Sequence, residues 1–169
     1  MDYCDAHDAF RAGPRPDSPD LVVRRFATLR FGLFASREYV EQFGVPDDEN
    51  ELRNHEISVP NDVDGPMVNW LRERVPEELH AFSCNAGRLV EQSVVCGLGI
   101  GFVPLHHAKH IKNLVRVLPD NEWEHPVWIV THMDIHRTPK VQALLERYRP
   151  DEDHELLSEL DFIMAIRDA

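Results

Sequence analysis

Cysteine is scarce. Cys4, Cys84 and Cys96 are the only three, far apart and in no Cys-x-x-Cys pair, which disfavours a disulfide scaffold or a zinc ribbon and makes a reducing cytoplasm the expected compartment. Positive charge is also short. Eighteen Lys and Arg face thirty Asp and Glu, a net charge of −12. That argues against nucleic-acid binding by this chain alone, because neutralising phosphates needs clustered positive charge. No uncharged apolar run approaches the roughly 18 residues that read as a membrane span. The opening residues, Met1-Asp2-Tyr3-Cys4-Asp5-Ala6-His7-Asp8, are acidic where a secretory signal is basic and then apolar. Internal repeats and low-complexity tracts are missing too. What is present is an apolar share of 43% across 169 residues, enough to build a core in one compact domain or two small lobes and too much for wholesale disorder.

Turn and helix signals divide the chain. Residues 11–20 carry three prolines and a glycine and read as a loop. Leu21 to Ala35, rich in Val, Leu and Phe, reads as one or two strands with a possible bend at Ala27-Thr28. Ser36 is placed to cap a helix that carries Tyr39, Val40 and Phe43 and closes at Gly44. Pro46-Asp47-Asp48 opens a short helical turn around Leu52, and Glu56 to Val59 reads as a strand. Trp70 to Val75 fits strand and helix equally. Leu79 to Cys84 alternates as a strand. Asn85 to Gly97 is the clearest helix, with Asn85 as its cap, Leu89, Val90, Val94 and Val95 as its apolar side and Gly97 as its end. Ile100 to Val103 reads as a buried strand stopped by Pro104, Leu105 to Ile111 as a helix, and Leu114 to Leu118 and Val127 to Thr131 as two strands. Pro139 opens a helix carrying Val141, Leu144 and Leu145. Strands alternating with helices predict an α/β fold with parallel strand pairs. Beyond Pro150, seven acidic residues and one arginine supply half of the net charge. Leu156, Leu157, Leu160, Ile163 and Met164 recur there at helical spacing, so the tail reads as a solvated amphipathic helix, with an acidic interaction tail as the alternative.

Three motifs invite chemistry. Gly97-Leu98-Gly99-Ile100-Gly101 resembles a dinucleotide-binding glycine cluster, but that fingerprint needs strand, glycines, then helix. Here the order is helix, glycines, strand, so the glycines read as a helix cap and a close packing surface, and no cofactor is expected. His106 and His110 lie one helical turn apart beside His107. A zincin also needs a glutamate within the motif and a third ligand; Ala108 and Lys109 stand there instead, so surface histidines are expected and no metal. Cys84 precedes a helix start, where a thiolate is stabilised, yet no nucleophile signature surrounds it and a small buried cysteine is the commoner fate. The best site signal is physical. Cys84-Asn85-Ala86-Gly87 leads into a well-formed helix, where free backbone N–H groups and the positive helix end favour a small anion such as a carboxylate. An ordinary helix cap is the competing reading.

Taken in order, the phrases of this chain resemble the effector-binding domain of LysR-type transcriptional regulators. Asp8-Ala9-Phe10-Arg11-Ala12-Gly13 is similar to the segment in which Asp, Arg and Gly end a strand of one lobe. Asp20 to Arg25, followed by Leu33-Phe34-Ala35-Ser36-Arg37-Glu38-Tyr39-Val40, resembles the crossover strand and its "ASP-x-Y" successor, with Arg37 where proline is usual. Gly44-Val45-Pro46 and Leu52-Arg53-Asn54-His55 resemble "G-x-P … DL-x-x-H". Gly97 to Pro104 resembles "GLGIALLP", Leu114 to Pro119 resembles "LVRVLP", and Val127 to Val130 with Pro139-Lys140-Val141 resembles the return strand and closing helix. The phrases cover roughly residues 8–147.

The resemblance implies a periplasmic-binding-protein-like α/β fold of Rossmann-like lobes. Residues 1–35 and 126–149 would form a partial first lobe, 36–125 a complete second lobe, and 150–169 an acidic C-terminal helix or tail. It further implies an effector domain without its winged helix-turn-helix: not an enzyme, cytoplasmic, away from membranes, and a sensor of a small organic ligand, anionic or aromatic, in an interlobe cleft. The implied ligand contacts are Gly13 and Pro14 on the first lobe, Ala35 and Ser36 at the crossover, Asn85 and Gly87 at a helix start, and Phe102 and Pro104 by the return. Ser36 and Asn85 would supply hydrogen bonds and Phe102 an apolar wall. A partial lobe implies self-association or pairing with an intact regulator, and no direct DNA binding. Two rivals stand beside this reading: a stand-alone interaction module that titrates intact regulators, and a cysteine-dependent enzyme built on Cys84.

Overall fold

The structure, a computed structural model, describes residues 10–61 and 65–147. Asp8-Ala9 and the acidic tail beyond Pro150 lie outside the described residues. Twelve elements follow the chain: β1 (Phe10–Ala12), β2 (Leu21–Ser36), α1 (Arg37–Phe43), β3 (Ile57–Pro60), α2 (Pro66–Arg72), β4 (His80–Cys84), α3 (Gly87–Val95), β5 (Ile100–Pro104), α4 (Leu105–Ala108), β6 (Leu114–His132), α5 (Met133–His136) and α6 (Pro139–Arg147). A 3-10 turn, Glu49–Asn54, stands before β3 and another, Glu77–Leu79, before β4. The chain divides into two units, one of residues 1–29 and 124–169, the other of residues 30–123. Both β2 and β6 contribute strand to each unit.

In the unit of residues 30–123 the strand order is β6-β2-β5-β3-β4. β3 pairs parallel with β4 on one side and with β5 on the other, while β2 pairs antiparallel with β5. Side chains alternate across these strands, as the pleat requires. Leu33, Ala35 and Phe102 join Tyr39, Leu52, Ile57, Val59, Met67, Val68, Leu71, Val75 and Ile100 in one core cluster. Phe34 and Val103, their immediate neighbours in sequence, join Val94 of α3 in another. This is a sheet with helices on both faces, which the run of buried β-branched and aromatic residues favours.

Local sequence explains the helices. The Ser36 hydroxyl accepts from the Tyr39 amide at 3.1 Å and caps α1, which Gly44 ends at φ 81°. The segment that fits strand and helix equally is helical as far as Arg72: Pro66 sits in the first turn of α2, and Met67, Val68 and Leu71 are buried on one stripe. α3 ends in paired bonds from Gly97 N to Val94 O (3.0 Å) and Leu98 N to Ser93 O (3.0 Å), a glycine-terminated closure that satisfies the last carbonyls. Gly101 allows α3 to lie directly on the sheet, since a Cβ there would stand 2.6 Å from Val94 Cγ2 and 2.8 Å from the Ser58 carbonyl oxygen.

The structure corrects four local expectations. Ala86 is the cap residue of α3 and no side chain caps it, so Asn85 does not fill that role. Cys84 Sγ donates to the Ala86 carbonyl at 3.3 Å, and the exposed Asn85 forms the bend between strand and helix. Leu89 of α3 is 55% exposed and does not belong to the apolar side. α4 stops at Ala108, so His110 lies beyond it and no helical turn relates it to His106. The strands expected at 114–118 and 127–131 are one strand, β6. Proline's extended φ is compatible with a strand wherever no N–H is needed, and β6 absorbs Pro119 after a left-handed Leu118 at φ 46°.

In the other unit the strand order is β1-β6-β2. β1 pairs antiparallel with β6 in the register Phe10↔Ile129 and Ala12↔Val127. Gly13 extends that pairing: its amide donates to Pro126 O at 2.9 Å, and its own carbonyl accepts from Trp128 Nε1 at 2.9 Å. Phe10 meets Phe26 edge to face at 5.4 Å. The Met133 amide reaches Asp20 O at 2.9 Å, tying the start of α5 to the start of β2.

Candidate functional site

The parallel strands set the geometry in the unit of residues 30–123. Pairing Pro60↔Cys84 and Ser58↔Gly101 brings the carboxyl ends of β3, β4 and β5 to one edge. In open α/β sheets ligands gather outside that edge. Four features of this chain meet there: Asn61 after β3, Asn85 and the start of α3 after β4, and Pro104 ending β5. Asn61 N donates to Cys84 O at 2.7 Å and the Ser83 hydroxyl hydrogen-bonds Asn61 Oδ1, so neighbouring strand ends are laced together.

At this edge the opening of α3 is built of main chain. It carries no acidic residue in its first turn and no side-chain cap, so nothing within the helix neutralises its positive end. Asn85 and Gly87 are exposed, and a Cβ at Gly87 would meet no heavy atom within 4 Å. The amides of Leu89 and Val90 are bound to Ala86 O at 2.9 and 3.2 Å. The N–H groups ahead of them have no intrahelical acceptor by the geometry of any helix start. Such a site can hold a carboxylate through backbone donors and the helix dipole.

The other expected contacts fall elsewhere. The register Phe31↔Pro104 and Phe34↔Gly101 runs β2 against β5, which puts Ala35 and Ser36 at the amino edge of the parallel strands, roughly 13 Å or more from Pro104 along the strand direction. Ser36 is fully buried, its hydroxyl engaged in the α1 cap and 3.1 Å from where a Gly97 Cβ would stand. That is the finishing end of α3. Phe102 is 5% exposed and packs edge to face on Trp123 at 5.0 Å. Gly13, at φ 109°, and the exposed Pro14 belong to the other unit. Thus Asn85, Gly87 and Pro104 share an edge, and Ala35, Ser36 and Phe102 do not join them. Asn61 and Ser83 went unnoticed in the sequence; the signal available was a short polar residue at the close of each predicted strand.

Polar pairs elsewhere are structural in their surroundings. The Tyr39 hydroxyl accepts from the Glu56 amide at 3.0 Å and lies 3.2 Å from His55 Nδ1. Burial pushes the Tyr39 pKa up and the His55 pKa down. His107 Nδ1 is 2.9 Å from the mostly buried Glu91 carboxylate, and the His106 ring meets that of His107 at a tilt of 57°, with centroids 4.3 Å apart. Hydrogen bonding to Arg116, and then to Arg30, holds the Glu122 carboxyl below its usual pKa. Among the described residues no group of three or more His, Cys, Asp or Glu is arranged to hold a metal ion, and no helix is long and apolar enough to cross a membrane.

A two-faced α/β sheet with a helix start at the carboxyl edge of its parallel strands is an architecture that gathers ligands at that edge. The family model of the LysR substrate binding domain matches residues 5–151, and the chain belongs to that family, whose members are regulatory. Its fold is accordingly periplasmic-binding-protein-like. The regulatory domain of AphB from Vibrio vulnificus, treated with cumene hydroperoxide, is similar at 25% identity and TM-score 0.61, over 81% of this chain and 71% of that one. The regulatory domain of CrgA, a LysR-type transcriptional regulator from Neisseria meningitidis, shares the fold at 22% identity and TM-score 0.68, over 82% and 72%. Full-length AphB of Vibrio cholerae, a virulence activator, aligns at 22% identity and TM-score 0.63 over 81% of this chain but 49% of its own. No curated protein matches the chain.

Proposed function

We propose that this chain senses a small organic ligand, anionic or aromatic, on behalf of a LysR-type regulator. The ligand's carboxylate is held by main-chain amides at the opening of α3, beside Asn85, Gly87 and Pro104. One observation carries the reading: a helix start without side-chain cap or first-turn acid, open at Gly87, stands where three parallel strands end. The family membership supplies the regulatory context. In this proposal the chain acts by pairing with itself or with an intact regulator. With thirty acidic residues against eighteen basic ones it does not grip operator DNA alone, which a gel shift at physiological salt tests.

Gly87→Pro tests the ligand site directly. Gly87 is the first residue of α3, where proline is tolerated because its missing N–H would be unsatisfied in any case. Ala86 is already extended at φ −95° and ψ 105°, as a residue before proline must be. The variant therefore keeps the fold and removes one donor. Carboxylates that raise the melting temperature of the parent should bind it about 10-fold or more weakly, the worth of one hydrogen bond to a charged group. Unchanged affinity would remove this amide from the site.

A further inference from the structure

We propose that the amino edge of the parallel strands is a docking face for a basic amphipathic helix of a partner protein. Three of the six large apolar side chains that the described residues expose lie there: Phe43 at 52%, Val45 at 42% and Leu98 at 45%. A chain of contacts joins them. The Phe43 ring lies 4.7 Å from the Tyr39 ring, and the Tyr39 hydroxyl accepts from the Glu56 amide. The Glu56 carbonyl in turn accepts from the Ile100 amide at 2.9 Å, two residues beyond Leu98. The proposal does not depend on the ligand site, which opens at the other edge of the sheet.

Local sequence leaves these side chains outside. Phe43 follows Tyr39 by one helical turn, on the stripe that Tyr39 buries, but α1 ends there and the Phe43 ring stays half in water. Leu98 follows the glycine that closes α3. In such closures the residue after the glycine commonly packs on an apolar side chain near the helix end. Those positions are Ser93 and Gln92 here, so Leu98 finds no apolar partner among them. Both anchors stand on fixed backbone: the Gly44 amide donates to Val40 O at 2.8 Å and the Leu98 amide to Ser93 O at 3.0 Å. Little order is therefore lost on docking.

Charge selects the occupant. From Glu38 to Glu56 seven acidic residues stand against one base, Arg53. Glu38 accepts from Asn113, and Glu49 from Arg74 and Asn121. Glu41, Asp47 and Glu56 are exposed beside the anchors, where their field reaches across the face within one Debye length. Two copies meeting here would bring like charges together, and nucleic acid or an anionic membrane would be repelled. A helix with an apolar stripe flanked by lysine or arginine satisfies both parts of the surface.

The test is an amide-resolved NMR titration of the full chain with a helical peptide of leucine and lysine at amphipathic spacing, and with the same peptide carrying glutamate for lysine. The lysine peptide should shift residues 40–45, 54–56 and 97–99 and bind more weakly as salt rises. The glutamate peptide should not bind. Phe43→Ser and Leu98→Ser, each checked for an unchanged melting temperature, should each weaken the lysine peptide about 10-fold. Glu41→Lys combined with Glu56→Lys should weaken it about as much and flatten the salt dependence. Leu89→Ser removes an equally exposed leucine outside this face and should leave affinity within about two-fold. Shifts confined to the acidic residues beyond Pro150, or affinity unchanged in both serine variants, would overturn the face. A dimer of the chain that Leu98→Ser dissociates would also overturn it, by giving the face to a second copy. Carboxylate affinity should be the same in the Phe43 and Leu98 variants as in the parent, so the ligand reading stands or falls separately.

Discussion

Replacing Gly101 by alanine adds one methyl group where α3 packs on the sheet. The new Cβ would stand 2.6 Å from Val94 Cγ2, 2.8 Å from the Ser58 carbonyl oxygen and 3.3 Å from Ser58 Cβ. Val94 could yield by changing rotamer, but it is fully buried in the cluster with Phe34 and Val103. The Ser58 carbonyl belongs to the interior strand β3, which is paired on both sides and so resists displacement. Overpacking a filled core costs about 1–3 kcal/mol, and a clash with fixed backbone belongs at the upper end. A loss of about 3 kcal/mol corresponds to roughly 6–12 °C in melting temperature for a chain of this size. Urea unfolding should show the midpoint falling with the slope unchanged. Val94→Ala in the same chain should recover only part of the loss, because it frees the side-chain contact and leaves the carbonyl contact. Gly87→Ala is the control: open space at that position predicts a change within about 1 kcal/mol, in the stabilising direction. A Gly101→Ala variant as stable as its parent would refute the claim that α3 rests directly on this strand.

Three further outcomes follow from the same geometry. Ser36→Ala removes the α1 cap and should destabilise by about 1 kcal/mol in thermal unfolding. Tyr39→Phe leaves the Glu56 amide and the His55 ring without their shared partner, and should cost about 1–3 kcal/mol by denaturant titration. The third concerns pH. Burial lowers the pKa of both His55 and His125 from the ordinary 6.5, so the unfolded chain binds more protons than the folded one near that value. Stability should therefore be full above about pH 7 and decline as the pH falls through the histidine range. A His55→Gln variant should show a shallower decline between about pH 7 and 5; an identical slope would mean that His55 titrates alike in both states.

Much of the fold was legible because the signals are local. The Ser36 cap, the Gly44 and Gly97 terminators and Pro139 at the start of α6 each announce an element edge through a steric or hydrogen-bonding need that no distant contact alters. The glycine cluster was legible for the same reason. Its helix–glycine–strand order excludes a pyrophosphate turn, and the structure gives Gly97 to the cap, Gly101 to α3 packing and Gly99 to a close approach in which a Cβ would stand 2.4 Å from Glu56 O. What failed was non-local. Residues 114–118 and 127–131 read as two strands, yet the chain stays extended between them as one strand, β6, which lies between β1 and β2. Asn85 has the right chemistry for a cap, but the cap position of α3 falls one residue later than the pattern implied, at Ala86, where Cys84 Sγ takes up the carbonyl.

The deepest gap is strand direction. In the sequence Ser36 and Asn85 look equivalent: each closes an apolar strand, carries a short polar side chain and stands at or just before a helix start. Nothing local says that β2 runs against β5 whereas β4 runs with β3. Once the registers are known, the two positions separate to opposite edges of the sheet. A helix after a parallel strand begins at the carboxyl edge and finishes at the amino edge, and the Ser36 hydroxyl near Gly97 marks where α3 finishes. The cap hydroxyl at Ser36 is therefore committed to structure, and the proposed function places the ligand donors at Gly87. Paired variants discriminate. Ser36→Ala should lower stability and leave carboxylate affinity within about two-fold, while Gly87→Pro should do the reverse. If Ser36→Ala weakens the ligand beyond its effect on folding and Gly87→Pro does not, the binding edge has been assigned to the wrong end of the sheet.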